Sequence, residues 1–154
     1  MKIAFWSVGK CHEAYVRIGI EDFSKRINNY FKVEWEIIPS SKKSTIIEIK
    51  KSEGESILTK INKDDYLIAL DERGTILTSE ELSMKIQHCA NMATKRLIFL
   101  IGGAYGLHDS VLKRANFQWS LSKLVFPHQL VRLILAEQVY RACTILKNEK
   151  YHHM

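Results

Sequence analysis

Two kinds of residue are scarce in this chain: there are only two prolines, Pro39 and Pro127, and three cysteines, Cys11, Cys89 and Cys143. The cysteines are far apart, odd in number and without a Cys-x-x-Cys pair. That argues against a disulfide scaffold and against a thiolate zinc site, and it suits a reducing cytoplasm. The histidines, at positions 12, 88, 108, 128, 152 and 153, show no metal-ligand spacing, so no metal is expected. No apolar run approaches the ~18 residues of a membrane helix. The start, MKIAFWSVGK, has no small-residue cleavage site and reads as a first strand rather than a signal peptide. The turn Gly102-Gly103-Ala104-Tyr105-Gly106 does not match Gly-x-Gly-x-x-Gly and has no P-loop lysine, which argues against a nucleotide-phosphate cradle. There is no Gly-x-Ser-x-Gly nucleophile elbow. Repeats, linkers and low-complexity tracts are also missing.

What is present suits one domain over residues 1–154, long enough to bury a sizeable core. The net charge of +6 favours a polyanionic partner, nucleic acid before membrane. Lys42, Lys43, Lys50 and Lys51 form the densest basic patch, either a solvated face or a phosphate-contacting edge. No aromatic residues interleave it, so base stacking is not indicated there.

Apolar runs at Lys2–Val8, Tyr66–Leu70 and Arg96–Ile101 read as buried strands. Val33, Trp35 and Ile37 alternate with charged residues, the period of a half-exposed strand. A fifth strand is expected near Phe117–Leu121. Helices are predicted from about Glu13 to Phe31, from a Ser44 cap to about Ile61, and from a Thr78/Glu81 capping box to about Ala93. The third of these would turn Leu82, Ile86, Cys89, Ala90 and Ala93 inward. A short helix is predicted near Asp109–Ala115. Alternating short strands and helices imply an α/β layer fold, with a largely parallel sheet flanked by helices. Ligands of such sheets lie outside the carboxyl ends of the strands. Three strand ends are therefore candidates: Leu70 with Asp71, the Gly102-Gly103 turn, and the loop from Ser122 to Pro127.

That last loop is unusual. Leu124, Val125 and Phe126 stand in a row where loops are ordinarily polar. It either packs on the core or walls a ligand with an apolar or aromatic part. The helix predicted from Gln129 to Leu146 carries one polar stripe, Glu137, Arg141, Thr144 and Asn148, and is otherwise apolar. A chain this short has little bulk to surround such a helix, so a homodimer contact is expected. Arg132 falls opposite the polar stripe and needs an anion: a carboxylate across an interface, a ligand carboxylate, or an RNA phosphate. His128 stands between the apolar loop and the helix start, either a surface cap or a functional imidazole.

The chain resembles the RlmH family of SPOUT-class methyltransferases, which methylate N3 of a pseudouridine in large-subunit ribosomal RNA. The resemblance covers essentially the whole chain. It rests on VGK (Val8, Gly9, Lys10), LDERG (Leu70 to Gly74), IGGAYG (Ile101 to Gly106), SLSKLVFPHQLVRLILAEQVYRA (Ser120 to Ala142) and the closing YHH (Tyr151 to His153). The fourth stretch is the most specific and VGK the least. The terminus departs from the pattern, with His152-His153-Met154 where relatives commonly carry a basic residue after a single histidine.

The resemblance implies a C-terminal trefoil knot, an exception to the unknotted connections of most folds. It also implies a cytoplasmic homodimer with sites near the subunit interface and no need of a metal. The methyl donor, S-adenosylmethionine, would lie against Leu70, Gly103, Ser122, Lys123, Leu124, Val125, Phe126 and Pro127. These positions fall on the three strand ends singled out above. The imide N3–H of the target must lose its proton. His128 is the first candidate base, and Tyr151 or His152, from the partner's tail, the second. Arg132 would hold a phosphate or orient the base. Selection of one nucleotide would depend on the assembled ribosome, a partner much larger than this chain. Two other functions fit the same fold: a non-enzymatic ribosome-binding or assembly factor, and a SPOUT enzyme with another RNA target.

Overall fold

The computed structural model describes residues 1–153; Met154, part of the atypical terminus, lies outside the described residues. Five strands form one sheet: β1 (Lys2–Val8), β2 (Lys32–Ile38), β3 (Tyr66–Ile76), β4 (Arg96–Ile101) and β5 (Phe117–Ser120). Their order across the sheet is β2-β1-β4-β3-β5, and every pairing is parallel. Parallel strands need crossovers. These are α1 (Ala14–Ile27), α2 (Ile46–Lys60), α3 (Ser79–Asn91) and α4 (Asp109–Arg114), with α5 (His128–Leu146) closing the chain.

Covering both faces explains why the central strands are apolar almost throughout. On one face Ile3, Phe5, Leu97, Phe99 and Ile68 pack under α1, α3 and α5 through Ile27, Leu82, Ile86, Leu135 and Val139. On the other face Ala4, Trp6, Ile98 and Leu100 pack under α2 and α4 through Ile57, Val111 and Leu112. The side-chain period of two along β1 and β4 divides these two cores.

The elements match the sequence reading in type and order, with shifted ends. α1 stops at Ile27, four residues before Phe31. There Asn28 leaves the helix and its side chain accepts from the Val33 amide at 2.9 Å. The cap of α2 is Thr45, not Ser44: Thr45 Oγ1 accepts from the Glu48 amide at 3.2 Å. The Thr78/Glu81 capping box is present on both sides. α3 ends at Asn91, because Ala93 adopts a left-handed φ of 55°, and Ala93 is exposed rather than inward. Thr144, assigned to the polar stripe of α5, is fully buried, and its hydroxyl donates to the Arg141 carbonyl at 2.7 Å.

The largest departure is β3. The turn expected at Asp71-Glu72-Arg73-Gly74 does not end the strand. Leu70 and Thr75 both pair with Trp119, so four residues are looped out and pairing resumes through Ile76. Gly74 makes this possible: a Cβ there would lie 2.6 Å from the Gln118 carbonyl carbon and oxygen.

Candidate functional site

A cavity of about 560 Å³ opens between the loop-out of β3 and the ends of β4 and β5. Three pieces of chain build it. The first is the loop-out of β3, where Asp71 is held by its neighbour Arg73. The Arg73 amide and Nε donate to Asp71 Oδ1 at 2.9 and 3.0 Å, and Nη2 donates to Oδ2 at 3.2 Å. The hydrogen bonds from Arg73 hold the Asp71 carboxyl below its ordinary value, against burial, with a smaller contribution from the charge of Lys50.

The second piece is the glycine turn after β4. A Cβ on Gly102 would lie 2.9 Å from Leu107 Cγ, so the turn closes on its own hydrophobic plug. The Gly106 amide donates to the Gly103 carbonyl at 3.0 Å. Gly106 has a φ of 82° and nothing within 4 Å of the place its Cβ would take, which leaves backbone open to a ligand.

The third piece is the loop between β5 and α5. Ser120 Oγ donates to the Ser122 carbonyl at 3.0 Å, and the Leu124 amide donates to Ser122 Oγ at 3.0 Å. This local bracing leaves Leu124 and Val125 at 71% and 87% exposed while Phe126 is half-buried. Two large apolar side chains held out in water want a partner surface.

Of the residues expected to meet a donor, Leu70, Gly103, Ser122, Leu124, Val125 and Phe126 line the cavity, and Lys123 and Pro127 flank them in sequence without lining it. His128, the first residue of α5, lines it too. Val131 is the next wall residue on that helix, one turn on. Sequence reasoning missed Lys50, Glu72, Arg73 and Trp119 on the wall. The loop-out of β3 sets Arg73 at the cavity mouth, where its side chain is still largely exposed. The buried Trp119 Nε1 finds no acceptor among the described residues.

Arg132, Tyr151 and His152 lie elsewhere. Arg132 is 1% exposed and points at β1. Its Nε donates to Ser7 Oγ at 2.8 Å and its Nη1 lies 3.2 Å from His12 Nδ1. The expected anion is not among the described residues; a hydroxyl and an imidazole take its place. Burial lowers Arg132, and burial followed by the Arg132 charge lowers His12, which keeps Nδ1 free to accept. The one polar side chain inside the apolar run of β1, Ser7, was the available signal for this cluster.

Tyr151 packs edge-on against Tyr140 and donates to Glu137 Oε1 at 3.0 Å. Burial and then the Glu137 hydrogen bond raise its phenol. His152 Nε2 sits 2.7 Å from Glu80 Oε1. Neither residue lines the cavity of its own chain.

No group of three or more His, Cys, Asp or Glu that could hold a metal occurs among the described residues. No described helix is long and apolar enough to cross a membrane. Open parallel sheet, glycine turn and apolar loop together define an α/β protein with a cavity at the carboxyl edge, the place where ligands of such sheets ordinarily lie.

Comparison with known proteins narrows this class. The family profile described as Predicted SPOUT methyltransferase matches residues 1–152. The chain is 45% identical to ribosomal RNA large subunit methyltransferase H of Cytophaga hutchinsonii, over 99% of this chain and 100% of that protein. It is 46% identical to the protein of the same name from Christiangramia forsetii, over 99% of each. Among solved structures it resembles a probable methylase family protein from Haemophilus influenzae, with a TM-score of 0.54 over 99% of this chain and 70% of that one. At 14% identity that likeness concerns the fold alone. The chain belongs to the SPOUT methyltransferases and, within them, to the family of ribosomal RNA large subunit methyltransferase H.

Proposed function

We propose that this protein transfers a methyl group from S-adenosylmethionine to N3 of a pseudouridine in large-subunit ribosomal RNA, on the assembled ribosome. The supporting observation is the cavity between the loop-out of β3 and the ends of β4 and β5, in a chain that matches its relatives over its full length. The residues present fit the donor. The glycine turn offers open backbone, Phe126 and Leu124 offer apolar surface, and the Trp119 indole N–H lacks an acceptor. Leu70, Gly103, Ser122, Leu124, Val125 and Phe126 would hold the adenosyl part, with Lys123 and Pro127 completing the loop that carries them. The donor supplies an electrophilic methyl on a sulfonium.

The remaining work is the protein's. An imide N3 is a poor nucleophile until it loses its proton. His128 is the base in this reading, because it stands exposed on the cavity wall at the start of α5. Arg132 acts from the interior as a positioning residue. Its contacts with Ser7 and His12 pin the first turns of α5, and with them His128, to β1 and the loop that follows it. Orientation of this kind supplies much of an enzyme's acceleration.

The active unit in this reading is a homodimer, each copy of residues 1–154 acting as one domain. Tyr15 and Ile18 on α1 are 63% and 80% exposed. They precede Gly19 by four residues and one residue, and a Cβ on Gly19 would come within 2.7 Å of Leu133 Cδ1, so α1 lies tightly along α5. This apolar ridge is the contact for a second copy. The dimer would bring Tyr151 and His152 of one tail to the cavity of the other. The family's trefoil knot, formed by the C-terminal segment, belongs to the same reading. Mass spectrometry of 23S ribosomal RNA from a deletion strain tests the proposal. Loss of one methyl from a pseudouridine is expected, and an unchanged modification map would refute it.

A further inference from the structure

One buried carboxylate has no part in the chemistry above. Glu53 lies in α2, is 8% exposed, and packs directly behind the glycine turn. Both its oxygens are 3.0 Å from the place a Cβ on Gly103 would occupy. Gly103 is a wall residue of the cavity, so the carboxylate sits one backbone thickness from the ligand space. The neighbouring Gly54 explains the inward turn of Glu53. A Cβ there would meet His108 Cβ at 2.9 Å, and this close approach of α2 to α4 holds that side of α2 against the sheet.

Glu53 has no ion pair among the described residues. Lys50, one turn earlier, lines the cavity instead. Burial pushes the Glu53 carboxyl up, and only the Ser41 backbone N–H counters it. A buried, nearly uncompensated carboxylate is costly. The cost is relieved when a cation arrives beside it. The ligand proposed for the cavity changes charge during turnover: the donor carries a sulfonium, and the demethylated product is a neutral thioether.

We propose that Glu53 reads this charge through the Gly103 backbone, favouring the cationic donor over its neutral product and so promoting product release. The inference rests on the cavity being the donor site. Glu53 touches neither ligand, so it is a specificity-determining residue acting through the glycine turn. A purely structural wedge behind Gly103 would affect both ligands equally, whereas a charge reader discriminates between them.

The test is isothermal titration of the full-length protein with three probes: S-adenosylmethionine, S-adenosylhomocysteine and sinefungin. Sinefungin carries a protonated amine where the sulfonium stands. Glu53→Gln, and Glu53→Met as a second neutral variant should the amide disturb packing, are compared with the parent chain. The expected result is a roughly fivefold weakening for the two cationic probes, the scale of one charge pair at partly screened range, with the thioether within a factor of two. Equal weakening of all three probes, or no change in any, would overturn the assignment. Failure of the unsubstituted protein to bind any probe would instead overturn the reading of the cavity, and this inference with it.

Discussion

His128 illustrates how position selects chemistry at the scale of one residue. It is held at the start of a helix, on a cavity wall, and exposed. Replacing it with alanine should lower methylation by roughly 10²–10⁴-fold, the usual contribution of a general base. The affinity for S-adenosylmethionine should stay within about twofold, since Leu70, Gly103 and the apolar loop remain. Single-turnover assays on ribosomes, paired with titration of the donor, check both halves. His12 shows a different case, a half-buried imidazole lowered in pKa. Burial first, then Arg132, lower it from 6.5, with Arg17 lowering and Glu21 raising it to lesser degrees. Its folded value therefore lies below the unfolded one. As pH falls below 6.5 the unfolded chain takes up the proton first, and stability is lost. Urea midpoints should drop between pH 7.5 and 5.5, and His12→Gln, whose amide oxygen still accepts from Arg132, should flatten that slope. An equal slope in both proteins would remove His12 from the pH dependence. The histidine was visible in the sequence; its lowered pKa was not, because Arg132 lies 120 residues away along the chain.

At the scale of elements, β3 carries the most consequence. Its looped-out residues form one wall of the cavity, and they stay in place because pairing with β5 resumes beyond them. Gly74→Ala should cost about 1–3 kcal/mol by overpacking against the Gln118 backbone. It should also weaken donor binding, since Asp71 to Arg73 move with the strand. Denaturant unfolding and titration would report the two effects, and an unaltered stability would show that the β5 backbone yields at no cost. The strands and helices themselves were legible. Apolar runs marked β1 and β4, and Thr78 with Glu81 marked the start of α3. The extension of β3 was not legible, because Asp-Glu-Arg-Gly is a sound turn signal taken alone. Only a neighbouring strand, placed by the rest of the chain, lets pairing continue past it. The Thr45 cap was missed by one residue because Ser44 and Thr45 are chemically equivalent caps, and geometry chooses between them.

For the whole molecule, the issue is how few residues carry a site. The cavity uses the ends of two strands and the loop-out of a third, and the apolar ridge of Tyr15 and Ile18 lies on α1, which packs along α5 on one face of the sheet. Ile18→Glu should yield a monomer by light scattering, since a charge at the centre of an apolar contact is desolvated without a partner. Methylation should fall with it while the far-ultraviolet circular dichroism stays the same. A dimer that persists in the variant would place the contact elsewhere. The tail histidine belongs to this scale as well: His152 is engaged with Glu80 of its own chain, so reaching another copy requires that pair to part.

The sequence by itself determined the alternation of strands and helices, the largely parallel sheet, and the segments after Leu70, Ile101 and Leu121 that line the cavity. Those follow from local periodicity and turn chemistry, which act over a few residues. The tertiary structure alone decided that Arg132 faces a serine and an imidazole, that β3 continues past its turn signal, and that Glu53 stands behind Gly103. Each of these joins residues remote in sequence, and such contacts exist only once packing has fixed which segments are neighbours.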